Sequence, residues 1–151
     1  MIRLSRMADY GVVVMTYMTM RRHETQTTHQ VAVSTGLPEA TVGKLLKVFA
    51  RDGLLDSHRG VHGGYQLTRR PEDVTVADIV TAVEGPIALT LCVDDHPGKC
   101  DVESLCPMRG GWNRINAALR DALESVSLAE MAFPAMPPHE AGAARLAPAA
   151  S

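Results

Sequence analysis

The sequence has few aromatic residues and no long apolar run. One Trp, three Tyr and two Phe make up 4% of the 151 residues, although apolar residues together reach 46%. We therefore expect a core of aliphatic side chains and methionine. The apolar run over residues 10–20 is shorter than the roughly 20 residues of a membrane span. It is also followed by no small-residue cleavage site, so neither a membrane helix nor a signal peptide is predicted.

Cysteine is scarce as well. The three cysteines, Cys92, Cys100 and Cys106, lie within fifteen residues of one another. Without a targeting segment we expect a cytoplasmic protein, and structural disulfides are rare in that compartment. The three thiols therefore need another explanation.

The small net charge of −2, taken alone, disfavours nucleic-acid binding. The charge is unevenly divided, however. Residues 1–70 carry ten Lys or Arg and five acidic residues, whereas residues 71–151 carry five and twelve. This division predicts one half that faces a polyanion and another half with a different task.

Apolar periodicity and helix-end signals predict a mainly α-helical chain with one small β-hairpin. The expected helices cover residues 6–22, 28–35, 39–52 and 76–84, and the expected strands lie near residues 54–58 and 65–68. A last helix is expected over about residues 107–131. Its apolar residues have the spacing of a coiled-coil seam: Trp112, Ile115, Leu119, Ala122 and Val126.

Two of these helices and the hairpin follow one another in the order of a winged helix-turn-helix domain. Gly36-Leu37-Pro38 supplies the tight turn between the helices. The second helix has one apolar face, with Val42, Leu45, Leu46 and Phe49, and an opposite cationic face. A solvated charged face is the alternative interpretation. The turn, the glycine-rich hairpin and the charge division together favour binding to double-stranded DNA.

Six side chains are predicted to contact DNA: Thr41, Lys44, Lys47, Arg51, Arg59 and His62. The first two lie near the start of the second helix, where recognition helices touch base edges. The next two are better placed for phosphates, which fix the register but carry no sequence information. The last two lie at the hairpin tip, where an arginine can enter a narrow minor groove.

The three cysteines have the spacing C-x7-C-x5-C. Thiolates select zinc or iron–sulfur clusters, and this spacing differs from the C-x2-C pairs of zinc ribbons. An iron–sulfur cluster would need a fourth ligand, and the candidates are His96, Asp101, Glu103 and, from a partner subunit, Asp9. Redox-sensing thiols without a metal are the alternative.

On these motifs the chain resembles the winged-helix regulators typified by IscR, NsrR and RirA, and most of all the SUF-system iron–sulfur assembly regulators. The resemblance covers about residues 1–131, with matching segments at 4–10, 36–55, 59–65 and 84–92. It implies that the three cysteines ligate a 2Fe–2S or 4Fe–4S cluster and that Arg59 contacts the minor groove. It also implies a homodimer made by the last helix, with the first helix crossing to the partner.

One position departs from the pattern of this family. IscR-like members have a histidine three residues after the last cysteine, and this chain has Arg109 there. NsrR-like members use an acid near the start of the first helix of the other subunit, and Asp9 is at that position. The resemblance therefore favours Asp9 as the fourth ligand and a 4Fe–4S cluster.

Together with this resemblance, the sequence predicts a repressor of SUF-type genes that senses iron–sulfur clusters and binds a palindromic operator. The expected parts are a DNA-binding domain (1–70), a connecting helix (71–86), a cysteine loop (87–106), a dimerisation helix (107–133) and a disordered tail (134–151). The same cysteines could instead sense redox state, nitric oxide or zinc. An iron–sulfur electron carrier would have no use for the basic helix, and no catalytic triad, phosphate loop or acid pair indicates an enzyme.

Overall fold

The computed structural model of the chain describes residues 3–90, 93 and 107–133. The elements in this part of the chain are α1 Arg6–Met20, α2 Thr28–Thr35, α3 Glu39–Arg51, β1 Leu55–His58, β2 Gly64–Leu67, a short 3-10 helix Pro71–Asp73, α4 Val76–Glu84, α5 Arg109–Glu124 and α6 Leu128–Ala132. The predicted mainly α-helical fold with a small hairpin is confirmed. The predicted cysteine loop and the predicted disordered tail lie outside the described residues, apart from 87–90 and 93.

Local capping explains where most of these helices begin. Three helices start with a capping box, in which two side chains satisfy each other's free backbone N–H groups: Thr27 with Gln30, Thr75 with Asp78 and Ser127 with Glu130. Gly36 ends α2 in the left-handed conformation, with φ of +71°. The chain then turns directly into α3.

The core consists mainly of aliphatic and methionine side chains, as expected. Fully buried residues from α1, α3, α4 and α6 meet in one cluster, which includes Met15, Met18, Leu46, Phe49, Ile79 and Leu128. The predicted apolar face of α3 is completely buried in this cluster. Within the described residues, no helix combines the length and hydropathy of a membrane span.

The prediction of one continuous helix over residues 107–131 is wrong. Helix α5 ends at Glu124, and the Ser127 hydroxyl starts α6 by accepting the Glu130 N–H. The connection is tied to the segment before α4, because the Val76 N–H donates to the Val126 carbonyl (2.9 Å) and the Leu128 N–H to the Val74 carbonyl (2.7 Å). Serine capping competes with helix continuation, so the chain folds back and buries α6 in the core.

Candidate nucleic-acid interface and cysteine segment

Helix α3 presents a cationic face on the side opposite its buried stripe. Lys44, Lys47 and Arg51 are all exposed there, and Thr41 is half-buried at the start of the helix. The Arg51 Nε lies 2.9 Å from the Asp52 Oδ1, so this guanidinium already has an anionic partner. The structure therefore brings the four predicted residues of α3 to one side of the domain.

The hairpin forms the wing, with β1 and β2 antiparallel in the register Leu55 to Leu67 and His58 to Gly64. Its tip is exposed and includes the predicted contacts Arg59 and His62. The tip is closed by a turn in which the Gly63 N–H donates to the Gly60 carbonyl at 2.9 Å. The wing thus presents one arginine and one histidine to solvent.

Sequence analysis missed the residue that holds the wing against the domain. Gln26 pairs with Tyr65 of β2 through two backbone hydrogen bonds, each of 2.8 Å. A side chain on Gly64 would prevent this pairing, because its Cβ would lie 2.5 Å from the Gln26 carbonyl oxygen. The glycine pair at 63–64 was the available signal, since a glycine in a strand often marks a close backbone approach.

A chain of side-chain hydrogen bonds extends this attachment to the helices. The Tyr17 hydroxyl of α1 donates to the buried Gln26 carboxamide at 3.0 Å, and the Ser34 hydroxyl of α2 donates to Tyr17 at 3.1 Å. A buried polar group that is fully bonded favours one arrangement over others. The wing is therefore held in a defined position relative to α1 and α2.

Ion pairs at the base of the wing reduce the number of free cations. Arg70 binds both carboxylate oxygens of Asp73, at 2.8 and 3.0 Å, which lowers the pKa of Asp73 and raises that of Arg70. Arg69 lies 3.8 Å from the Asp78 carboxylate. Within the described residues, no ion pair involves Lys44, Lys47 or Arg59. Of the predicted DNA contacts, these three basic side chains can therefore meet DNA without first breaking an ion pair.

We call residues 87–106 the cysteine segment. All three cysteines, and the candidate ligands His96, Asp101 and Glu103, lie outside the described residues. The described residues contain no group of three or more His, Cys, Asp or Glu that could hold a metal ion. The predicted ligand set stays a prediction.

The beginning of the cysteine segment is described, and it is bound to α5. The buried Asn116 side chain donates from Nδ2 to the Ile87 carbonyl at 2.9 Å and accepts the Leu89 N–H on Oδ1 at 3.0 Å. The Ile87 side chain packs against a small cluster of Ala8, Val76 and Val80. The segment therefore leaves from a defined place between α4 and α5.

Asp9 lies near this place, in the first turn of α1. Its side chain is exposed, and the neighbouring Ala8 is buried in the cluster that Ile87 contacts. The Ser5 N–H at the start of the same helix donates to the Glu84 carboxylate at the end of α4 (3.2 Å). The carboxylate of Asp9 is thus in solvent, at the end of α1 that adjoins the start of the cysteine segment.

Known proteins share this arrangement over most of their length. The profile of the Rrf2 family, described as an iron-dependent transcriptional regulator, matches residues 4–134. An HTH-type transcriptional regulator of Mycobacterium tuberculosis is 30% identical over 142 residues, which are 92% of this chain and 86% of that protein.

Two solved structures are similar throughout. CymR, the global cysteine regulator of B. subtilis, has a TM-score of 0.69 and 26% identity, with 90% of this chain and 100% of that chain covered. T. potens IscR has a TM-score of 0.66 and 25% identity, with 98% and 94% covered. These relatives are named as regulators, and they confirm the resemblance to IscR-type regulators. The chain belongs to the Rrf2 family of winged-helix transcriptional regulators.

Proposed function

We propose that this regulator is a homodimeric DNA-binding repressor whose operator affinity depends on an iron–sulfur cluster held by Cys92, Cys100 and Cys106. The observation that carries the DNA part is the exposed cationic face of α3 beside a firmly attached wing. Most hydrogen bonds in protein–DNA complexes go to phosphate and sugar, and exposed Lys and Arg side chains are among their donors. The genes that it controls would be those of SUF-type cluster assembly.

On DNA, α3 would lie in the major groove and the wing beside the minor groove. Thr41 and Lys44 would face base edges, Lys47 and Arg51 would contact phosphates, and Arg59 would reach into the minor groove together with His62 at the same tip. Two copies would bind a palindromic operator with half-sites about 34–36 Å apart.

An exposed apolar face on α5 supports the homodimer. Met108, Trp112 and Ile115 follow one another at helical spacing, and Trp112 and Ile115 are 37% and 50% exposed in the single chain. Contiguous apolar surface on a soluble protein marks an interaction site. A second copy of α5 is the partner that the seam spacing favours.

The chemistry of the donor set fits an iron–sulfur cluster. Three thiols select soft metals, and a carboxylate from Asp9 of the partner subunit would complete four ligands, which favours 4Fe–4S over 2Fe–2S. When bound, the cluster would join the three thiolates to one another. This connection would depend on the supply of iron and on the redox state. The iron dependence in the description of the family supports this proposal.

A second candidate is a regulator that senses redox state, nitric oxide or zinc through the same cysteines. The similarity to CymR supports this second candidate, because CymR matches this chain with a TM-score of 0.69 and its description as the global cysteine regulator names no iron–sulfur cluster. In this case the cysteines would change operator affinity without holding sulfide.

Iron and acid-labile sulfide per chain after oxygen-free purification distinguish the two candidates. We expect both in cluster stoichiometry in the wild type and neither in Cys100→Ala, because a cluster lacking one thiolate is not retained. Ser104→Ala, in the same segment, is the matched control and should keep both. Operator affinity should differ between loaded and unloaded wild type by about 5–150-fold. A colourless wild type without sulfide, even after reconstitution, would leave only the second candidate.

Lys47→Ala tests the DNA-binding face separately from the cysteines. We expect binding to weaken equally for all DNA sequences. The slope of log affinity against log salt concentration should become smaller by about one, as for one lost phosphate contact. The measurement is operator affinity against salt concentration for specific and unrelated DNA. Arg120→Ala, an exposed cation of α5, is the control and should leave the slope unchanged. An unchanged slope for Lys47→Ala would remove Lys47 from the interface.

A further inference from the structure

Asn116 is a buried polar side chain on a helix whose neighbouring residues are mostly exposed. It is 5% exposed, and its carboxamide bonds to the backbone on both sides of Ala88, at the Ile87 carbonyl and the Leu89 N–H. This is the pattern by which a parallel strand binds its neighbour, with one donor and one acceptor. Asparagine can supply both groups from a short planar side chain. The Asn116 side chain therefore makes the two hydrogen bonds that a neighbouring strand would make with the start of the cysteine segment.

The position of Asn116 within α5 gives this contact a particular consequence. The start of the cysteine segment contacts α5 at Asn116. After the cysteines, the chain enters α5 at Arg109, which is seven residues before Asn116 and thus about 10 Å away along the helix axis. The chain on either side of the cysteines thus meets α5 within its first two turns. The two hydrogen bonds of the Asn116 side chain, to Ile87 and Leu89, hold the side that comes first in sequence.

The same turns of α5 carry the apolar face that we assign to the dimer. Trp112 and Ile115 lie four residues and one residue before Asn116, and both are exposed. A change in the cysteine segment that pulls on Ile87 or Leu89 would shift this part of α5 through Asn116. Such a shift would alter the spacing of two recognition helices, which the half-site spacing of DNA constrains.

We propose that Asn116 is a positioning residue that transmits the state of the cysteine segment to α5, and that it does so without binding a metal. This inference rests on the proposed function, because it concerns the response to whatever the cysteines bind. In a protein without Asn116, the cysteines keep their ligands, but operator affinity no longer depends on whether those ligands are bound. Asn116 thus belongs to signalling and not to ligand binding.

The test compares Asn116→Ala with Asn113→Ala, which removes an exposed asparagine from the same helix. Three quantities are measured for each full-length protein: iron and sulfide per chain, operator affinity in loaded and unloaded forms, and hydrogen exchange of the Leu89 amide. In Asn116→Ala we expect wild-type iron and sulfide, amide exchange faster by roughly tenfold, and loaded and unloaded affinities within about twofold of each other. Asn113→Ala should keep the wild-type ratio between the loaded and unloaded operator affinities, about 5–150-fold.

The outcomes separate this inference from the proposed function. If the loaded and unloaded wild type bind the operator equally, the proposed function fails whatever Asn116 does. If the wild type responds and Asn116→Ala keeps the full ratio, or loses iron, the role of Asn116 is overturned. If Asn116→Ala does not fold, Asn116→Asp is used, which retains the acceptor for Leu89 and loses the donor to Ile87. An Asn116→Asp protein with wild-type iron and an unreduced ratio also overturns the inference.

Discussion

Gly64→Ala is expected to lower the free energy of unfolding by about 2–6 kcal/mol and to weaken operator binding strongly. The new Cβ would lie 2.5 Å from the Gln26 carbonyl oxygen, which is backbone and cannot move aside alone. The position also has φ of +154°, which side chains rarely adopt. Strain of about 1–3 kcal/mol and the loss of two hydrogen bonds of about 0.5–1.5 kcal/mol each give this range. Chemical denaturation and operator titration measure the two effects.

Gly60→Ala is the matched control for the steric clash between a Cβ at position 64 and the Gln26 carbonyl oxygen. Gly60 also has positive φ, +110°, but a Cβ added at this position would have no atom within 4 Å. Backbone strain alone should cost about 1–3 kcal/mol. Equal destabilisation by the two substitutions would show that the close approach of β2 to Gln26 does not hold the wing.

Leu128→Ala is expected to lower the free energy of unfolding by about 2–5 kcal/mol, as for a large-to-small change in a packed core. Leu128 is fully buried because α6 folds back against α1 and the segment before α4. Had the last helix continued straight beyond Glu124, residue 128 would lie outside this core. Thermal or chemical unfolding measures the effect directly.

Met131→Ala, in the same helix and 40% exposed, is the control for Leu128→Ala. We expect it to change stability within about 0.5 kcal/mol, as is usual for surface substitutions. A loss below about 1 kcal/mol for Leu128→Ala would contradict the packing of α6 in the core.

The folded-back α6 changes how the two halves of the chain are connected. Helix α5 is held at its end by the backbone bonds between residues 74–76 and 126–128, and nearer its start by Asn116. The predicted seam is thus interrupted, because Val126 lies in the connection after α5 and packs against Val76 and Val80. The dimer face that we propose is limited to the earlier turns of α5, close to the cysteine segment.

Local signals explain why the helices of the DNA-binding half were predicted well. Helix α2 has the predicted bounds, and α3 ends one residue before the predicted end, because Thr27, Gly36 and Pro38 define these ends within a few residues. The cationic face of α3 follows from residue spacing alone. Charge counting was less informative, because Arg70 and Arg51 are paired with nearby carboxylates.

The sequence by itself determined the winged-helix layout, the buried stripe of α3 and the separation of basic and acidic halves, since each depends on neighbouring residues. Only the tertiary structure decided three features: the pairing of Gln26 with Tyr65, the attachment of Ile87 and Leu89 to Asn116, and the backbone bonds that tie the connection between α5 and α6 to residues 74–76. Each joins hydrogen-bonding groups that are distant in sequence, backbone to backbone in the first and third features and backbone to side chain in the second. Such pairings leave no periodicity in the chain, because they satisfy buried hydrogen-bonding groups wherever folding brings them together.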